Sequence, residues 1–162
     1  MNAKTIWLDR EHLRVLCEEA NDKYPNETGG CFVGYYFKKN KDLVVTNIVG
    51  PGPNAIHGEY YFKPDDDWQE KEIGKLYSES GRLYTYLGDW HVHTVPDEKL
   101  SWKDKKTLRR IARHTPARII TPIMGIMYLT ENWNLAIWQL KKMSTVSFYD
   151  NGVYKKLDLR FF

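Results

Sequence analysis

Apolar residues along this chain recur with two periods, and the switches between them outline its elements. A short run, Thr5 to Leu8, reads as a strand leading to Asp9, a side chain suited to an N-cap. Leu13, Leu16, Cys17 and Ala20 then recur at helical spacing, which predicts an amphipathic helix over 9–22. Pro25 and the Gly29–Gly30 pair in "KYPNETGG" interrupt it. The runs "CFVGYYF" and "DLVVTNIVG" read as strands joined by the polar turn "KKNK". "PGPNAIHGE" has loop chemistry, and the following "YYF" predicts a short strand.

Asp65 to Asp67 supply the acids that favour a helix N-terminus, and Trp68, Ile73, Leu76 and Tyr77 supply an apolar stripe that Gly81 ends. "RLYTYLGDWHVH" predicts a long strand. Its odd positions (Leu83, Thr85, Leu87, Asp89, His91, His93) would share one face, and its apolar even positions (Tyr84, Tyr86, Gly88, Trp90, Val92) would face the core. Ser101 opens a third helix with Leu108, Ile111 and Ala112 inward. Strand-like segments follow near 117–129 and 133–140, then a hairpin about "DNG" at 150–152, where Asn-Gly suits a type I′ turn. Strands and helices do not alternate regularly. The pattern therefore predicts an α+β fold in one domain, residues 1–162, with a mixed sheet flanked by helices.

A chain of 162 residues is long enough to bury a core without staples. Its formal charge of +3, with acids and bases intermixed, argues for neither nucleic acid nor membrane as a partner. Cys17 and Cys31 form no disulfide framework or zinc knuckle by themselves. "MNAKTIWLDREH" lacks the apolar run of a signal peptide, and "IITPIMGIMYL" is too short and too broken to span a bilayer. These features predict a soluble, cytoplasmic protein.

Candidate chemistry concentrates in "GDWHVHTVPDEKLSWKD", residues 88–104. Histidines one residue apart on a strand project side by side, so His91 and His93 can reach one ion. Ser101 and Asp104 form S-x-x-D at a helix start, which is also the pattern of a capping box. A carboxylate there can point back at the strand end, making a set of two histidines and one acid with a position left for water. That set suits zinc hydrolysis and equally the facial triad of non-haem iron oxygenases.

His91-Val92-His93, seven residues, Ser101, two residues, and Asp104 resemble the H-x-H-x7-S-x2-D signature of the JAMM metallopeptidases, the MPN+ or JAB domain. The resemblance implies a cytidine-deaminase-like α+β fold. It further implies that His91, His93 and Asp104 bind one Zn2+ with a water, that Glu27 in "PNETGGCFVG" shuttles the proton, and that Ser101 donates to the oxyanion. Glu27, rather than Glu18, Glu19 or Glu59, is chosen by the resemblance alone. "GPNAIHGEYYFKPDDDW" and "YLGDWHVH" resemble a bacterial standalone branch, the peptidases of CBASS anti-phage operons. That branch implies a protein substrate with an extended C-terminal tail, a conjugated cGAS-like nucleotidyltransferase or a ubiquitin-like protein, and cleavage after that C-terminus. Processing of a sulfur-carrier precursor, or a metal-free MPN scaffold, are the other readings. Thr94 stands where the family usually has proline, and Val92 where it usually has serine or threonine, departures that bear on loop shape and substrate fit.

Around the signature, Asp89 could orient a histidine from behind or be solvated, and His57 reads as a loop residue able to line a cleft. Cys31 reads as a small buried side chain, Trp90 as core and Trp102 as wall or lid. Lys103, Lys105, Lys106, Arg109, Arg110 and Arg113 of the third helix read as a solvated face, with contact to an acidic partner surface as the alternative. "LDLRFF" reads as either a last strand or a docking tail.

Overall fold

The computed structural model describes residues 2–143 and 152–162. Among the described residues, ten strands and three α-helices follow one another. The first half runs β1 (Thr5–Leu8), α1 (Arg10–Lys23), β2 (Gly29–Phe37), β3 (Asp42–Val49), β4 (Ile56–Gly58), β5 (Tyr61–Lys63) and α2 (Asp66–Glu79). Then come β6 (Thr85–His93), α3 (Trp102–Arg113), β7 (Ile123–Leu129), β8 (Trp133–Met143), β9 (Gly152–Lys156) and β10 (Asp158–Phe161). Eight strands form one mixed sheet in the order β10-β1-β3-β2-β6-β7-β8-β9, and β4 and β5 form a separate hairpin. This is the predicted mixed sheet flanked by helices.

Each helix is placed by its apolar stripe. Leu16 and Ala20 of α1 enter a core with Ile6, Leu8, Phe32, Leu43, Trp90, Val92, Ile123 and Met127. The opposite sheet face is covered by two helices. Trp68, Ile73 and Leu76 of α2 pack on Cys31, Val33 and Val49, and Leu108 of α3 packs on Met124, Ile126 and Leu140. All three helices start on side-chain caps, from Asp9, Asp65 and Ser101.

Several boundaries differ from the predicted ones for local reasons. The stretch read as loop, 51–59, contains β4, because Ile56–Gly58 pairs with Tyr61–Lys63. The strand predicted from residue 117 begins at Ile123, since Thr115–Ala117 is a 3-10 turn and Pro122 precedes the ladder. "LDLRFF" is a strand: β10 runs parallel to β1, while β9, just before it, is antiparallel to β8. Consecutive strands thus join the two ends of the sheet through Leu157, whose N–H donates to the Ile137 carbonyl. The turn expected at 150–152 lies mostly outside the described residues.

The predicted alternation of residues 83–93 fails at one position. Across β2, Phe32 pairs with Gly88 but Val33 pairs with Tyr86, so Leu87 is an inserted residue. Gly88 carries the distortion at φ +147°, and a Cβ there would stand 2.0 Å from the Ile123 carbonyl oxygen. The bulge reverses the phase. Leu87 joins Trp90 and Val92 in the α1 core, whereas Tyr84 and Tyr86 lie on the α2 side with Asp89.

Candidate metal centre

Beyond the bulge, alternation is regular, and β6 ends with His91 and His93 on the α2–α3 side of the sheet, ring centroids 5.0 Å apart. The chain then loops back to Ser101 and enters α3. The buried Leu108 and Ile111 fix that helix so that its first turn faces the strand end. Asp104, third in the helix, reaches both imidazoles: Oδ1 lies 3.1 Å from His91 Nε2 and Oδ2 lies 3.2 Å from His93 Nε2.

This geometry fits a divalent ion. The three ligand atoms all lie within 4.8 Å of one another. Bonds of roughly 2.1 Å in a tetrahedral set would place neighbouring donors about 3.4 Å apart, close to the observed spacing. The tautomer fits as well. His93 Nδ1 sits 2.8 Å from the Asp97 carbonyl oxygen and donates to it, which leaves Nε2 as the atom to offer an ion.

Ser101 and Asp104 also form a complete capping box. The Asp104 N–H donates to Ser101 Oγ at 3.2 Å, and the Ser101 N–H donates to Asp104 Oδ2 at 2.7 Å. The serine hydroxyl therefore acts as an acceptor toward the helix and keeps its proton for another partner.

Glu27 arrives by strand register. β2 runs antiparallel to β6 with Gly29 opposite His91, and the Val92 N–H donates to the Thr28 carbonyl at 2.9 Å. Glu27 lies two residues before that pair, just outside β2, and is near enough to feel the charges of His91, His93 and Asp104. The β4–β5 hairpin holds it there. The Glu27 N–H donates to the Gly58 carbonyl at 2.8 Å, and His57 Nδ1 donates to the Glu27 carbonyl at 3.0 Å. Phe62 lies against the His57 ring, and both it and His91 crowd Gly29, where a Cβ would be 2.9 Å from the Phe62 ring. His57 is thus a support for Glu27 rather than a free loop residue. Only its place in a loop bounded by glycine and proline hinted at this.

The charges divide accordingly. Burial works against the Asp104 carboxylate, but its bonds from His91 and His93 win and hold its pKa far below the usual range. Burial likewise opposes the His93 cation, yet Asp104 and the Asp97 carbonyl raise its pKa. Burial pushes Glu27 up, with His91, Lys103 and His93 pulling the other way. Glu27 is outside the ligand cluster and within its field, where a proton carrier has to be.

The remaining candidates fall elsewhere. Asp89 bonds to the Tyr86 hydroxyl at 2.6 Å and accepts from Cys31 Sγ at 3.6 Å, behind the histidines, and burial raises its pKa. Cys31 is buried and also reaches Gln69. Trp90 is core, whereas Trp102 is 65 % exposed, with the Lys106 ammonium over its ring. No helix among the described residues is long and apolar enough to cross a membrane.

The chain as a whole is similar to known proteins. A family model described as prokaryotic homologs of the JAB domain matches residues 9–141. A probable metalloprotease of Sinorhizobium fredii is 36 % identical over 137 residues, 83 % of each chain. A CD-NTase/cGAS isopeptidase of Escherichia coli is 27 % identical over 67 residues, 41 % of this chain and 42 % of that one. The solution structure of a Desulfitobacterium hafniense protein shares the fold at a TM-score of 0.69 and 18 % identity, covering 97 % of this chain and 92 % of its own. The two histidines and the acid thus lie within a chain that belongs to the prokaryotic homologs of the JAB domain and is a metalloprotease-like hydrolase.

Proposed function

We propose that this chain is a zinc isopeptidase that cuts the bond after the C-terminus of a protein conjugated in the manner of ubiquitin, a cGAS-like nucleotidyltransferase being the favoured substrate. The observation that carries the proposal is the meeting of His91, His93 and Asp104 beside a carboxylate, Glu27, that belongs to none of their bonds. The nucleotidyltransferase is suggested by the similarity to the Escherichia coli CD-NTase/cGAS isopeptidase.

A zinc ion held by His91, His93 and Asp104 would supply Lewis acidity for the scissile carbonyl and acidify a water to a pKa near 7. The chain's own groups do the rest. Glu27 takes the proton of the attacking water as its oxygen bonds the carbonyl carbon, and delivers a proton to the amine as the C–N bond breaks. The Ser101 hydroxyl donates to the oxygen on which negative charge develops. His57 and Gly58 hold the Glu27 backbone, so the carboxylate moves a proton without moving the chain. The β4–β5 hairpin pairs with no other strand among the described residues, and its free edge suits an extended tail that adds as a strand. Exposed Ile56, Tyr60 and Tyr61 on that hairpin offer apolar contacts to such a tail.

The test is a nucleotidyltransferase–lysine conjugate incubated with the zinc-loaded protein, with and without chelator, and the products weighed by mass spectrometry. Release of the intact C-terminus, abolished by chelator, is the expected result. An uncut conjugate beside a cut sulfur-carrier precursor would move the reading to precursor processing. Neither cut in zinc-loaded protein would leave a scaffold.

A further inference from the structure

The small net charge conceals a polarised molecule. Residues 99–162 contain thirteen of the 24 Lys and Arg but four of the 21 Asp and Glu. The excess is densest on α3, where six of twelve residues are cations and Asp104 is the one acid. Lys103, Lys106, Arg110 and Arg113 are exposed and fall at i, i+3, i+7 and i+10, one continuous stripe about 15 Å long. Among the described residues no ion pair joins any of the four to a carboxylate, although other surface cations find partners: Lys23 with Asp22, Lys156 with Glu98, Arg160 with Asp158.

Stability accounts for only part of the stripe. Arg110 and Arg113 stand in the last turn, where the backbone dipole favours cations, but Lys103 and Lys106 stand near the N-terminus, where it favours acids, and like charges three and four residues apart oppose helix formation along the whole row. The stripe begins at the first turn, which also presents Ser101 and Asp104, and Lys103 is close enough to lower the pKa of Glu27. Trp102, largely exposed beneath the Lys106 ammonium, adds an aromatic surface at the same end. A macromolecule whose scissile bond sits at the metal centre therefore lies beside uncompensated positive charge.

We infer that the exposed face of α3 is a docking surface for an acidic patch on the folded body of the protein substrate, which it holds while the tail occupies the cleft. This rests on the isopeptidase reading for its choice of a protein partner. The surface sets substrate recruitment rather than the chemical step, because exposed charges act mainly on encounter rate and its salt dependence.

Lys106→Gln/Arg110→Gln/Arg113→Gln tests it without touching a group at the metal centre. Fluorescence anisotropy with a labelled glutamate-rich peptide, and with single-stranded DNA of equal length, is run on the chain carrying Glu27→Gln, so binding is read whether or not the protein is a hydrolase. Three exposed ion pairs together amount to about a tenfold change in affinity. The expected result is peptide binding that weakens about tenfold in the triple variant and weakens with salt, at an unchanged or higher melting temperature. With Glu27 restored, the triple variant should raise KM for the conjugate and leave kcat alone. Equal peptide binding by both proteins overturns the inference, and so does a preference for DNA over the peptide.

Discussion

Replacing Ser101 by glycine and, separately, by alanine removes the same hydroxyl from helix starts of different stability. Both changes keep the residue 101 N–H, and with it the 2.7 Å bond that helps hold Asp104. Both lose the 3.2 Å bond from the Asp104 N–H to Oγ. At an N-cap, alanine costs about 1 kcal/mol but glycine only a few tenths. For a domain of this size the alanine variant should melt about 2–4 °C lower and the glycine variant within about 1 °C of the parent. An oxyanion donor is worth far more, about 10²–10³ in kcat. If Ser101 is that donor, both variants lose this factor equally despite their different stabilities, and both retain zinc. If the residue serves only as a cap, the glycine variant stays nearly as active as the parent and the alanine variant is the slower. Initial rates on the conjugate, melting curves and metal content measured together decide it. A Ser101→Gly protein within about threefold of the parental rate, well short of the loss a missing donor causes, would remove the hydroxyl from the reaction.

Glu27→Gln should retain zinc and the parental fold while kcat falls by about 10²–10⁴, the usual worth of a positioned acid–base group; metal loss in this variant would make Glu27 a ligand instead. His57→Ala frees the Glu27 carbonyl and should lower kcat about tenfold or more with metal content unchanged. Gly88→Ala drives a methyl into the Ile123 carbonyl at a positive φ and should cost about 3 kcal/mol or more, read by urea unfolding; a wild-type midpoint would refute the bulge. In metal-free protein the His93–Asp104 pairing contributes stability below the unfolded histidine pKa, which is lost as the pH rises through the raised His93 value, above 6.5. From the acid side Asp104 contributes above its unfolded value near 3.8, a contribution lost as the pH falls through its depressed folded value. Chelated protein should therefore melt highest between those limits, while zinc affinity falls as acid protonates His93 Nε2; zinc binding without proton release would contradict this.

Much of the fold could be read from apolar spacing, because α1, α2 and α3 each carry a stripe and a side-chain cap that agree with each other. Two features were illegible for physical reasons. The bulge at Leu87–Gly88 is a property of pairing with β2: period-two alternation counts residues along one strand and cannot count a residue the neighbour skips. It moved Tyr84 and Tyr86 to the other face, yet it left Asp89, His91 and His93 together because all three lie beyond it. Glu27 was hidden in the same way. Its approach to the histidines depends on the antiparallel register that sets Gly29 opposite His91, 62 positions away in the chain. Nothing in the spacing of "PNETGG" carries that register, so the family resemblance alone picks it out, and of the hairpin that holds it the sequence predicts the β5 strand but reads β4 as loop.

The S-x-x-D pattern at Asp104 is a helix cap whose geometry also leaves room for a ligand role. The two roles would share one carboxylate. Oδ2 accepts the Ser101 N–H while both oxygens face the imidazoles. The cap fixes the side chain in the rotamer that ligation needs, so the energy that starts α3 also preorganises the centre. A buried acid between two histidines would be a liability for a purely structural helix, since leaving a buried charge unpaired costs several kcal/mol. Bonds from His91 and His93 hold the Asp104 carboxylate ionised although it is only 5 % exposed, and Asp104 in turn raises the His93 pKa. That pairing separates Asp104 from Asp89, which is partly buried and held by a tyrosine hydroxyl and a thiol, with its pKa driven upward by burial.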